Sequence, residues 1–129
     1  MNRVENWLEF ARQDLAVCKL ALEAKIYNQA CFHSRQAVEK VLKGYLLSRN
    51  KSIPQIHALD DLFNLCVKID NNFQELKDMC SKLDKYYMPM RYPDALPGIL
   101  PEGLPNEKDA QEALSNAKEI MEFVKGKIR

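Results

Sequence analysis

Three groups of residues have the types and spacing to do chemistry. His33, Gln36 and Lys40 stand three and seven positions apart, so a helix would place an imidazole, an amide and an ammonium on one face. That set can hold a phosphate or a base edge, and it can equally be a polar cluster on a bundle surface. Residues 85–94, KYYMPMRYPD, crowd Arg91 and three tyrosines around Pro89 and Pro93. Prolines restrict the backbone, so Arg91, with Tyr92 and Asp94 beside it, would meet a ligand at low entropic cost. The plainer reading has Arg91 clamping Asp94 or a helix end while the tyrosines pack beneath. His57 forms the third group, just ahead of Asp60 and Asp61. Two histidines without a paired ligand do not make a metal site, and neither a metal nor a cofactor is expected.

The charge pattern bears on the same helix. Arg35, Lys40, Lys43, Arg49 and Lys51 face only Glu39 between residues 35 and 51, a local charge of +4, whereas residues 92–129 carry −2. A basic second helix could draw phosphate; a solvated face complemented by the acidic last helix is the plainer expectation. Cys18, Cys31, Cys66 and Cys80 lie too far apart for any CxxC pair, and each falls on an apolar stripe, as buried free thiols do.

Helices must position these groups. Leu8, Ala11, Leu15, Cys18 and Leu22 step by three and four, predicting a helix over about residues 4–24, with Trp7, Phe10, Val17 and Ala21 widening its stripe. Cys31, Ser34, Val38, Val41 and Tyr45 predict a second over about 28–49, with Asn50 as a left-handed stop. Leu59, Leu62, Phe63 and Cys66 predict a short helix over about 58–69. Leu76, Cys80, Leu83 and Tyr87 predict another, capped by Asn71 or Asn72 and stopped before Pro89. Ala110, Ala113, Ala117, Ile120, Val124 and Ile128 mark the last helix, entered through Asn106 and Asp109 as a capping box. Five of the six prolines lie between residues 89 and 105, which confines the irregular segment to that stretch. The fold expected is all-α: an up-and-down four-helix bundle with one additional short helix.

With 129 residues, 47% hydrophobic and 29% charged, the chain reads as one globular domain over 1–129. Its formal net charge of +1 excludes a broad basic coat for nucleic acid but not a local patch. No apolar run reaches membrane-span length and the N-terminus lacks signal-peptide order, so a cytoplasmic location is expected.

The segments FHSRQAVEKVLKGYL (32–46), IHALDDLF (56–63) and LDKYYMPMRYPDALPG (83–98) together resemble the HEPN domain, in particular its minimal stand-alone members. The resemblance implies a homodimeric four-helix bundle that binds a nucleotide or RNA and pairs with a minimal nucleotidyltransferase in a toxin–antitoxin-like module. By residue type it points to Gln36, Ala37, Glu39, Lys40 and Lys43 on the second helix and to Arg91, Tyr92, Pro93 and Asp94 in the loop. Many HEPN domains are metal-independent ribonucleases carrying an Arg, four to six residues, then a His, in which the His activates the ribose 2′-hydroxyl and the Arg steadies phosphate. Here seven residues separate Arg49 from His57, and the nearest arginine ahead of His33 is Arg12, so that motif is not found. The binding set expected is therefore His33, Gln36, Lys40, Lys43, Arg91, Tyr92 and Asp94, with catalytic residues unassigned. A divergent ribonuclease, in which His33 or His57 meets Arg91 through the fold, and a purely structural helical partner are the alternatives.

Overall fold

The structure is a computed structural model that describes residues 2–86 and 103–128. Helix α1 spans Arg3–Glu23, α2 Tyr27–Ser48, α3 Leu59–Ile69, α4 Lys77–Asp84 and α5 Glu107–Lys127, with a 3-10 turn at Asn71–Leu76 before α4. The expected all-α bundle is what forms, and its long members are α1, α2 and α5. Where the sequence pattern predicts one continuous helix through Leu76 and Leu83, the chain makes the 3-10 turn and then only two turns of α-helix. The cap also differs. Asp70, not Asn71 or Asn72, accepts the first free N–H, from Asn72 at 3.0 Å. Tyr87 and the stop before Pro89 lie outside the described residues.

Helix ends follow local chemistry. Asn2 and Glu5 close a capping box on α1, and Asn106 and Asp109 close the expected one on α5, where the Asp109 N–H reaches Asn106 Oδ1 at 2.9 Å. Both α1 and α2 stop at a left-handed residue, Lys25 at φ 63° and Asn50 at φ 61°. The second is the stop the sequence predicts. After each stop a backbone N–H turns back into the last turn, Ile26 to the Ala21 carbonyl at 2.8 Å and Lys51 to that of Leu46 at 3.1 Å.

Helix α2 is the hub, packed against α1, α3, α4 and α5. It approaches α1 so closely that a Cβ on Gly44 would stand 3.2 Å from the Trp7 Cβ. Between the same helices Cys18 Sγ and Ser34 Oγ share a buried hydrogen bond of 3.0 Å. Tyr45 and Phe73 pack with ring centroids 4.6 Å apart, and Phe73 meets Phe123 edge-on at 5.2 Å, which ties α2 to the 3-10 turn and to α5. All four cysteines are buried free thiols, and burial pushes Cys66 and Cys80 up to about 12.

One part of the α1 stripe is misread by periodicity. Ala11, Cys18 and Ala21 are buried, but Phe10 and Val17 are 53% and 41% exposed, and Leu20 is 63% exposed. Among the described residues α1 packs chiefly on α2 and α5, which leaves these side chains on its uncovered side. Leu83 does face the core, fully buried with Cys80. Truncating Leu83 to Ala should cost about 2–5 kcal/mol, read as a lower denaturant midpoint with an unchanged slope.

Candidate functional site

Helix α2 is buried around a wide arc, and that arc includes charge. Arg35 has no exposed surface, Lys43 is 4% exposed and Glu39 7%. The expected solvated face complemented by the last helix is therefore not what forms. The complementing carboxylates come from α2 itself, from α1 and from α4.

Two clusters result. In the first, Asp14 of α1 lies between His33 Nδ1 at 2.9 Å and Lys40 Nζ at 2.6 Å. Burial alone would raise the Asp14 pKa, but the hydrogen bonds from His33 and Lys40 and their charges outweigh it and hold the carboxyl below its ordinary 3.8. In the second, Glu39 accepts from Lys43 Nζ at 2.9 Å and from Arg35, and pairs with His57 Nδ1 at 3.0 Å. Here too burial raises the carboxyl and is overcome, by His57, Lys43 and Arg35, so Glu39 stays below its ordinary 4.5.

Arg35 extends the second cluster across the bundle. Its guanidinium donates to the His57 carbonyl, to Gln36 Oε1 at 2.7 Å and to Asp84 Oδ1 at 3.2 Å. Asp84 in turn accepts the N–H of Leu59 at 3.0 Å and that of Asp60 at 3.4 Å, so a side chain from α4 caps the start of α3. Gln36 joins the two clusters, because it shares a helix face with His33 and Lys40 while accepting from Arg35. At the edge of this network His57, whose side chain is 55% exposed, presents its ring to solvent from a bed of buried charge.

The helix-two residues singled out in the sequence thus separate. His33 and Lys40 meet on Asp14, Gln36 bonds Arg35, and Lys43 belongs to the Glu39 cluster. Arg91, Tyr92 and Asp94 lie outside the described residues. Sequence reasoning passed over Asp14 and Asp84 and counted Arg35 only as charge. The Arg35, Glu39, Lys43 spacing of four was a usable signal for pairing along one helix. Nothing local marks Asp84, which is 49 residues from the arginine it binds. Tyr86, next to the expected loop site, is buried in the core with 2% exposure. Its phenol is pushed up by burial and by the neighbouring Cys31.

An all-helical bundle with a buried charge network on its central helix defines the class. The HEPN domain profile matches residues 4–127, and the chain belongs to the HEPN domain family. Its similarity to an archaeal HEPN homologue, ST0689, is 33% identity over all of both chains, with a TM-score of 0.78. TT1696 from Thermus thermophilus is 34% identical over 98% of this chain and 99% of its own, with a TM-score of 0.77. A Methanocaldococcus jannaschii protein named "Putative toxin MJ1304" is 29% identical over 92% of this chain and 84% of its own length. Among the described residues no helix is long and apolar enough to cross a membrane.

Depressed carboxylates set the acid stability. The contribution of Asp14 and Glu39 is fully present above their ordinary values of 3.8 and 4.5 and is lost as pH falls through their lower folded values. Chemical denaturation between about pH 6 and pH 2 should therefore show stability falling below about pH 5, with a shallower fall in Asp14→Asn. At about pH 6 that variant should also be less stable than the wild type, since His33 and Lys40 lose their shared counter-charge.

Proposed function

We propose that the chain is a toxin-like HEPN protein that binds a nucleotide or RNA and acts with a minimal nucleotidyltransferase in a toxin–antitoxin-like pair. The observation that carries this reading is His57, a half-exposed imidazole held by the buried carboxylate of Glu39 and backed by Arg35 through its own carbonyl. The Glu39 contact sets the orientation of this half-exposed imidazole, and an imidazole is a group that bonds a phosphate oxygen or a base edge. Gln36 connects it to the His33 and Lys40 face, and Arg91, Tyr92 and Asp94 are the loop residues expected to complete the site. The resemblance to a protein named as a toxin supports the toxin-like part of the reading.

The Glu39–His57 contact favours one second reading, a metal-independent ribonuclease. A carboxylate that orients a histidine is the arrangement from which the histidine takes a proton from a ribose hydroxyl. In that reading Arg91 is the arginine that steadies the phosphate, while Arg35, which has no exposed surface, only helps to hold the His57 backbone. Isothermal titration with ATP and incubation with labelled RNA in EDTA, each on the wild type and on His57→Ala, separate the two. Binding weakened about tenfold or more in the variant, without cleavage by either protein, is the expected outcome. Cleavage in EDTA that disappears in His57→Ala would establish the ribonuclease instead. Unaltered affinity in a folded His57→Ala removes the histidine from the site. Co-purification with the product of an adjacent nucleotidyltransferase reading frame tests the partner.

The same proposal includes a homodimer. Phe10, Val17 and Leu20 form an exposed apolar strip on α1, interrupted by Gln13 and free of charge along its centre. Sedimentation at tens of micromolar should give about twice the 14.9 kDa chain mass, and Phe10→Asp should shift it to the monomer. A monomeric wild type at that concentration contradicts this part of the reading.

A further inference from the structure

The cations of α2 are each matched by a carboxylate: Arg35 by Glu39 and Asp84, Lys40 by Asp14, Lys43 by Glu39. Uncompensated positive charge lies elsewhere. A groove of about 380 Å³ runs between α1 and α5, which pass each other in opposite directions. Arg12 and Lys125 stand at one end and Lys19 and Lys118 at the other, with Leu15 and Met121 as an apolar floor. Glu122 is the sole acidic residue of its lining. Arg12 is bonded to Glu9 at 2.7 Å, and Lys125 reaches Glu122 at 3.7 Å, both as exposed pairs that salt weakens. Lys19 and Lys118 have no carboxylate within ion-pair distance among the described residues. They line the same groove, one from α1 and one from α5. Burial pushes the Cys18 thiol up, and the Ser34 hydrogen bond and then the charges of Lys118 and Lys19 pull it partly back.

We propose that this α1–α5 groove is a second binding site, for the phosphodiester backbone of single-stranded RNA. Two ammoniums held in one groove repel each other, and a bound phosphate removes that repulsion while gaining attraction to both. Arg12 and Lys19, like Lys118 and Lys125, are seven positions apart along a helix, about 10 Å, so the two cation pairs engage more than one phosphate of a strand. The floor of Leu15 and Met121 makes no hydrogen-bond demand and accepts the flat face of any base, so binding is sequence-tolerant and salt-dependent. The choice of RNA over other polyanions rests on the function proposed above; the groove and its charge do not.

Fluorescence anisotropy of the full chain with a fluorescein-labelled oligouridylate of about 15 nucleotides, from about 50 to 300 mM salt, tests the site. Lys19→Glu/Lys118→Glu changes two exposed positions and should leave the helical circular dichroism intact. At the lowest salt its affinity should fall at least about tenfold, and the slope of log affinity against log salt should shrink by about 0.7, the loss of one single-strand phosphate contact. Equal affinity and slope in the two proteins would overturn the proposal. So would a wild type that binds inorganic polyphosphate but not oligouridylate. Titrating the doubly substituted protein with ATP distinguishes the two sites: ATP affinity at the wild-type level with oligouridylate affinity lost places them apart, as proposed. Oligouridylate affinity lost in His57→Ala and retained in Lys19→Glu/Lys118→Glu leaves the reading of the previous subsection standing and removes the groove.

Discussion

Arg35 is a fully buried guanidinium, and the lower half of the bundle is arranged around satisfying it. Taking a permanent charge out of water costs several kcal/mol unless its donors and its charge are met, so the surrounding groups are held in place by that demand. Glu39 supplies the near carboxylate from one turn along the same helix, Asp84 the far one from α4, and the His57 carbonyl closes the set from the connector. Asp84 has a second duty as the cap of α3. One side chain thereby ties α2, the connector, α3 and α4 to each other, and His57 is presented where that knot reaches the surface. Removing Glu39 would strip Lys43 of its carboxylate and Arg35 of its nearer one, and removing Arg35 would leave Asp84 without its cation, so the cluster behaves as a unit.

The distribution of charge follows from the place of α2 at the centre. Its cations sit where four helices converge, and each is neutralised by an acid that another element, or the same helix, brings to it. A count along the chain makes α2 the basic element, but in space its charge is matched internally. The α1–α5 groove has the opposite character. Its cations come from two helices with no basic excess in the sequence, and they become a cluster only because those helices lie side by side.

Helix α1 illustrates how one amphipathic element serves two surfaces. Its small core residues, Ala11, Cys18 and Ala21, let α2 come close, and Gly44 on the facing side completes that approach. Asp14, at the edge of the same interface, anchors His33 and Lys40. The opposite side keeps Phe10, Val17 and Leu20 in contact with water, an arrangement with an energetic cost that a partner surface would relieve.

The elements that depend on local rules were legible along the chain. Hydrophobic steps of three and four, the Asn106–Asp109 box, the left-handed Asn50 and the confinement of proline to one segment are properties of neighbours in sequence, and they define the helices and the all-α class. The HEPN resemblance was legible for the same reason, since it rests on the contiguous segments 32–46, 56–63 and 83–98. Packing alone decided which faces are covered. Phe10 and Val17 satisfy the helical period yet stay exposed, because among the described residues α1 packs chiefly on α2 and α5, on its other side. Packing also decided which charges meet, Asp14 with Lys40 across 26 residues and Arg35 with Asp84 across 49, and it brought Lys19 and Lys118 to one groove. Coulomb attraction depends on distance through space, and sequence separation carries no record of it until the helices have packed.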